Sequence, residues 1–137
     1  MKDEKDDLRG RTKAFALRII TLYETLPRSG AVQILGHQVL RSGTSVGANF
    51  REAHRARSNA EFISKVGDSL KELEETSYWL ELLTESGAVK PSKLALLLDE
   101  TSQLTAILTA IVKKRCAHVP KLSSLIPHPL SLSHARH

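Results

Sequence analysis

The stretch RSGTSVGANF, Arg41 to Phe50, with its continuation REAHRAR to Arg57, decides how this chain folds. Its centre holds Ser42, Gly43, Thr44, Ser45, Gly47 and Ala48. Two readings compete. Taken locally, Ser-Gly-Thr-Ser is turn chemistry, because glycine and serine are common between elements; a loop would then join two short helices. Taken with its flanks, the stretch is the middle of one long helix. Leu35, Val39, Val46, Asn49 and Ala53 fall at spacings of three, four and seven, the repeat of a single helical face. Gly43 and Gly47 lie one turn apart on a second strip. Glycine inside a helix costs about 1 kcal/mol against alanine. A helix that accepts this cost twice gains a close neighbour, because missing side chains let backbones approach. We read 41–49 as helical, with Gly43, Gly47, Asn49 and Glu52 as packing residues.

A length of 137 residues suits one domain. Apolar residues make up 41% of the chain, but only six residues are aromatic, so the core must be aliphatic. That favours helices over a sheet. No apolar run approaches the roughly 20 residues that cross a bilayer. The opening MKDEKDDLRG lacks the apolar centre of a signal peptide. Cys116 is alone, which excludes a disulfide framework and a thiolate metal cluster within the chain. These features point to the cytoplasm, without a membrane partner.

The net charge of +5 is unevenly placed. After Glu100 come Lys113, Lys114, Arg115, Lys121 and Arg136, with no acid. A second basic excess lies in the deciding stretch, where Arg41, Arg51, Arg55 and Arg57 face only Glu52. The segment after it is acidic, with Glu61, Asp68, Glu72, Glu74, Glu75, Glu81 and Glu85 against Lys65 and Lys71.

Working outward, a first helix is predicted over about 6–26, with Leu8, Phe15, Ile19, Leu22 and Leu26 inward and Pro27 as its stop. Ser29 is a candidate N-cap for a second helix over about 31–57. Ser58 and Glu61 fit a capping box for a third helix reaching about 85. Its inward face reads Phe62, Val66, Ser69, Leu70, Leu73, Ser77, Leu80 and Thr84, and Glu61–Lys65 and Lys71–Glu75 are i,i+4 pairs. Gly87 is a C-cap candidate and Pro91 a helix opener. Leu94, Leu97, Leu98, Thr101, Leu104, Thr105, Leu108, Ile111 and Val112 form the stripe of a fourth helix. Four helices with short connections predict an all-α, antiparallel up-down-up-down bundle over 1–117. Residues 118–137, rich in Pro, Ser and His, read as a mobile tail, with Leu122, Leu125, Ile126, Leu130 and Leu132 offering the alternative that part of it lies against a groove.

A search for chemistry returns little. Walker A, GxGxxG, HExxH and Cys/His zinc patterns are absent from the sequence. Ser42, Ser45, His54 and Asp68 do not form a hydrolase set, because no nucleophile elbow accompanies them. Glu72 and Glu75 share a face, but a di-metal bundle needs a histidine three residues after a glutamate; an ion-paired acidic face is expected. His118, His128, His134 and His137 crowd the tail at irregular spacing, which makes a weak metal site. We therefore expect no enzyme, no cofactor and no metal. Glu52 carries two readings: surface charge balance, or orientation of an arginine where the second helix meets the third or across a subunit boundary. Arg41, Arg51, Arg55, Arg57, Lys113, Lys114 and Arg115 are the nucleic-acid candidates, since phosphate attraction needs only clustered cations. The competing reading is a solvated basic face. No aromatic platform interleaves them, so base stacking is not expected.

The run RSGTSVGANFREAHRARSNAEFISKVGDSLKELEETSYWLELL resembles the signature of the 23S rRNA-intervening-sequence proteins, and LRGRTKAFALRIITLYETLP resembles their opening. The likeness covers roughly Leu8 to Leu83 and, more loosely, the last helix. It implies a bacterial four-helix bundle, often a homopentameric ring, without enzymatic activity. It also implies a connection to nucleic acid, because genes of this family lie inside rRNA genes and a related protein serves a retroelement reverse transcriptase. The expectation is a non-enzymatic, self-associating bundle that binds RNA or DNA. The alternative is a scaffold for a partner protein.

Overall fold

The structure, a computed structural model, describes residues 4–117. They form α1 (Glu4–Thr25), α2 (Gly30–His54), α3 (Asn59–Glu85) and α4 (Pro91–Ala117), with no strand among the described residues. The deciding stretch is continuous helix inside α2. The expected tail, with its four histidines, lies outside the described residues.

Local chemistry sets each boundary. Pro27 follows α1, and Gly30 opens α2 with φ at 65°, a conformation that favours glycine. Ser29 occupies the N-cap position in extended backbone, but its side chain makes no capping hydrogen bond, contrary to expectation. The second helix also stops at His54, short of the predicted 57. The Arg55 and Ala56 N–H groups donate three residues back, to Glu52 and Ala53 carbonyls, which tightens and closes the last turn. Ser58 is then free to adopt extended backbone as N-cap of α3, and its Oγ accepts from the Glu61 N–H at 3.1 Å. The Glu61 carboxylate reaches back to the Arg57 N–H at 3.2 Å, one residue before the N-cap. Past α3, Gly87 takes φ of 83° and donates to the Thr84 carbonyl.

Two strips of small residues on α2 organise the bundle. On one, Gly36 meets Tyr23 and Leu26, Gly43 meets Ile19, and Gly47 meets Thr12. Residue numbers on α1 fall as those on α2 rise. On the other, Thr76 Oγ1 donates to Ser42 Oγ at 2.8 Å and Ser69 Oγ donates to the Val46 carbonyl at 2.9 Å, so α3 also runs in the opposite sense to α2. Phe15, Ile19, Val39, Val46, Phe50, Leu73, Leu80, Leu94, Leu104 and Leu108 fill the space between the helices.

The inward face of α3 differs from the expected one. Thr76 and Leu83 are buried, where Ser77 and Thr84 had been expected; those two are half-buried. The reason is the 3.6-residue turn together with a hydroxyl partner: Ser42 gives Thr76 a place inside. On α2, Ser42 and Phe50 are buried, whereas Leu35 and Asn49 are only half-buried. The expected i,i+4 pairs on α3 give way to pairs with α2. Lys65 binds Glu52 at 2.8 Å and Glu75 binds Arg41. Helices this close put an opposite charge across the interface within reach.

The α1–α4 side is more open. A groove of about 520 Å³ runs between Leu17, Thr21 and Leu22 of α1 and Lys93, Leu96 and Leu97 of α4. Further along the same two helices, Arg11 ties α1 to α4, donating to Glu100 from Nε and Nη2, both at 2.8 Å, and to Gln103. The α4 helix is long and apolar enough to cross a bilayer by length and composition alone, with a mean hydropathy of 1.3 over its best window, a test that a core helix also passes. Its Leu, Ile, Val and Ala residues raise the average, while Asp99, Glu100 and several Thr, Ser and Gln residues interrupt the run. Its Leu94, Leu97, Leu104 and Leu108 pack into the bundle.

Candidate nucleic-acid interface

Six of the seven cationic candidates lie near the end of α2, in the α2–α3 connection, or in the last turns of α4. Arg51, Arg55, Arg57, Lys113 and Lys114 are exposed. Arg55 is the C-cap of α2. Arg115 is half-buried; its guanidinium donates to Asn59 Oδ1 at the start of α3 and stands 4.0 Å over the Phe62 ring. These contacts bring the C-terminal end of α4 to the N-terminal end of α3, beside the end of α2. Arg57 and Arg115 line one polar pocket there, of about 280 Å³, with His54, Ser58, Asn59 and Phe62. The His54 Nδ1 is enclosed and lacks a hydrogen-bond partner.

Arg41 does not join this pole. It sits about 21 Å up α2 from Arg55 at 1.5 Å per residue. Its guanidinium is held by Glu72 at 3.2 Å, by Glu75 and by Gln38. Partial burial works against its charge, but bonding and attraction from the two carboxylates outweigh that and raise its pKa. The acidic face of α3 is thus ion-paired here. Glu52 pairs with Lys65 of α3, across the α2–α3 contact, where the sequence reading expected an arginine. A hydrogen bond from Glu52, then its charge, raises the Lys65 pKa. Gly43 and Gly47 are packing residues against α1, and Asn49 is half-buried on the same helix.

Sequence reasoning missed Asn59 and Phe62 as the partners of Arg115. Asn59 reads as part of a helix start and Phe62 as core. The contact joins positions 56 residues apart, and no local pattern signals it.

These features define an all-α, four-helix protein with a basic pole. The chain belongs to the 23S rRNA-intervening sequence protein family, whose model matches residues 4–110. The match stops before Lys113, so the α4 part of the pole lies beyond it. The chain is also similar to the crystal structure of a protein of unknown function from the S23 ribosomal protein family of Bacteroides thetaiotaomicron VPI-5482. The two are 36% identical, with a TM-score of 0.76 over 81% of this chain and 99% of that one. No curated protein matches this chain.

Proposed function

We propose that this protein is a non-catalytic, self-associating bundle that presents a cationic pole to RNA or DNA, as a binding module or an adaptor for a nucleic-acid enzyme. The observation that carries the reading is the convergence of Arg55, Arg57, Lys113, Lys114 and Arg115 near one junction of three helices. In a ring, favoured as a pentamer, each subunit repeats that pole. Each neutralised phosphate releases counterions, so modest contacts add up. Binding is then sequence-tolerant and steeply salt-dependent, in the cytoplasm of a bacterium.

The test is a salt titration with unrelated RNA and DNA oligonucleotides. Replacing Lys113, Lys114 and Arg115 together by glutamine flattens the salt slope and leaves helix content unchanged. If the parent binds neither polymer at low salt, the reading fails. Exposed Leu17 and Leu96, 54% and 74% accessible beside the α1–α4 groove, support the self-association part and also favour a second reading, a scaffold that docks a partner protein. Salt-indifferent binding to protein alone would select that one.

A further inference from the structure

We infer that the pocket between Arg57 and Arg115 is a seat for a single phosphate group. This deepens the nucleic-acid reading by naming where one backbone phosphate would sit, although the chemistry is the same for free phosphate.

The argument starts from how each cation is held. Arg11, Arg28, Arg41 and Lys65 all pair with carboxylates. Among the described residues, Arg115 is held instead by the neutral amide oxygen of Asn59 and the face of Phe62. Both fix the guanidinium plane without cancelling its charge. A guanidinium has five N–H donors in a rigid fork, so most remain for a ligand. Holding it in place beforehand removes much of the ordering cost of binding.

The surroundings add donors on more than one side. Arg57, Ser58 and Asn59 line the same pocket, where α3 begins. Helix starts favour negative charge. Glu61 lies in the same turn and opposes an anion; its carboxylate accepts from the Arg57 N–H, which fixes its place without cancelling its charge. Two guanidinium groups lining one pocket at a helix start suit a multiply charged tetrahedral oxyanion better than a singly charged planar carboxylate, and charge-assisted bonds of this kind are the strong ones. Lys113 and Lys114, exposed beside the pocket but not lining it, add only diffuse attraction.

The experiment is amide and arginine Nε–H NMR on the full chain, titrated separately with inorganic phosphate, sodium acetate at equal ionic strength, and a twelve-residue oligothymidylate. Phosphate and the oligonucleotide are expected to shift Ser58, Asn59, Ala60 and the Arg115 Nε–H, and acetate to shift them far less. Arg115→Gln should weaken both ligands about tenfold or more, the scale of a lost charged hydrogen bond. Asn59→Asp gives Arg115 a carboxylate partner at a helix start that tolerates acid; it should abolish phosphate binding while the protein stays folded. Lys113→Gln with Lys114→Gln should weaken the oligonucleotide and leave inorganic phosphate unchanged. Phosphate binding at this pocket without oligonucleotide binding supports the seat and removes the nucleic-acid reading. Oligonucleotide binding that spares these signals and ignores Arg115→Gln and Asn59→Asp overturns the seat and leaves the nucleic-acid reading standing. Acetate matching phosphate, or no shift with either, also overturns it.

Discussion

Gly43 of α2 faces Ile19 of α1 so closely that a methyl group on the glycine would stand 2.8 Å from Ile19 Cγ1. Ile19 is fully buried and branched at Cβ, so the atoms in the way are the stiff part of its side chain. The glycine is what lets the two helices meet.

The same substitution therefore has opposite signs along the chain. Gly43→Ala should lower stability by about 1 kcal/mol net, because overpacking costs about 1–3 kcal/mol and exceeds the helix-propensity gain of about 1 kcal/mol. Gly47→Leu, pressed against Thr12, should lower it further. Gly10→Ala and Gly67→Ala meet nothing within 4 Å and should each stabilise by up to about 1 kcal/mol. Urea midpoints for the four variants decide the matter; a Gly43→Ala protein at least as stable as the parent would remove the close-contact account.

The Ser69 hydroxyl donates to the Val46 carbonyl across the α2–α3 interface. Ser69→Ala should cost about 1 kcal/mol, the net worth of a typical hydrogen bond. Ser69→Leu should cost more, through overpacking of a site with no exposed surface. Equal melting temperatures for the two variants would contradict this ranking.

Arg11 and Glu100 set an acid-side response. A hydrogen bond from Arg11 holds the Glu100 carboxyl below the ordinary carboxylate range, against the opposing effect of partial burial. A depressed pKa means that the folded protein binds this proton less readily than the unfolded chain. The stabilisation is therefore present above the ordinary carboxylate pKa and is lost as pH falls through the lower, folded value. Glu100→Gln should flatten stability against pH in that acid window and leave the slope from neutral pH upward unchanged. An unaltered acid limb would show that the pair contributes nothing.

Self-association is expected to use the α1–α4 groove. Light scattering on Leu17→Ser with Leu96→Ser should report a mass close to the 15.2 kDa monomer, with helix content unchanged. A parent already at that mass at micromolar concentration would end the oligomer proposal.

The sequence by itself determined the number and order of the helices, because the marks that set them are local. Pro27, Ser58, Gly87 and Pro91 act on their own backbones, and the apolar repeat of α2 carries helix through Ser-Gly-Thr-Ser despite its turn-like composition. It also marked Gly43 and Gly47 as contact points, since two glycines in a helix need a reason. What only the tertiary structure decided is which helix each face meets. The glycine strip chose α1, Ser42 and the Val46 carbonyl chose α3, and Lys65 and Glu75 left their helical neighbours for Glu52 and Arg41 across an interface. The separation of Arg41 from the other cations, and the seating of Arg115 on Asn59 and Phe62, belong to the same class. A side chain's partner depends on distances between chain segments far apart in sequence, and periodicity within one helix carries no information about them.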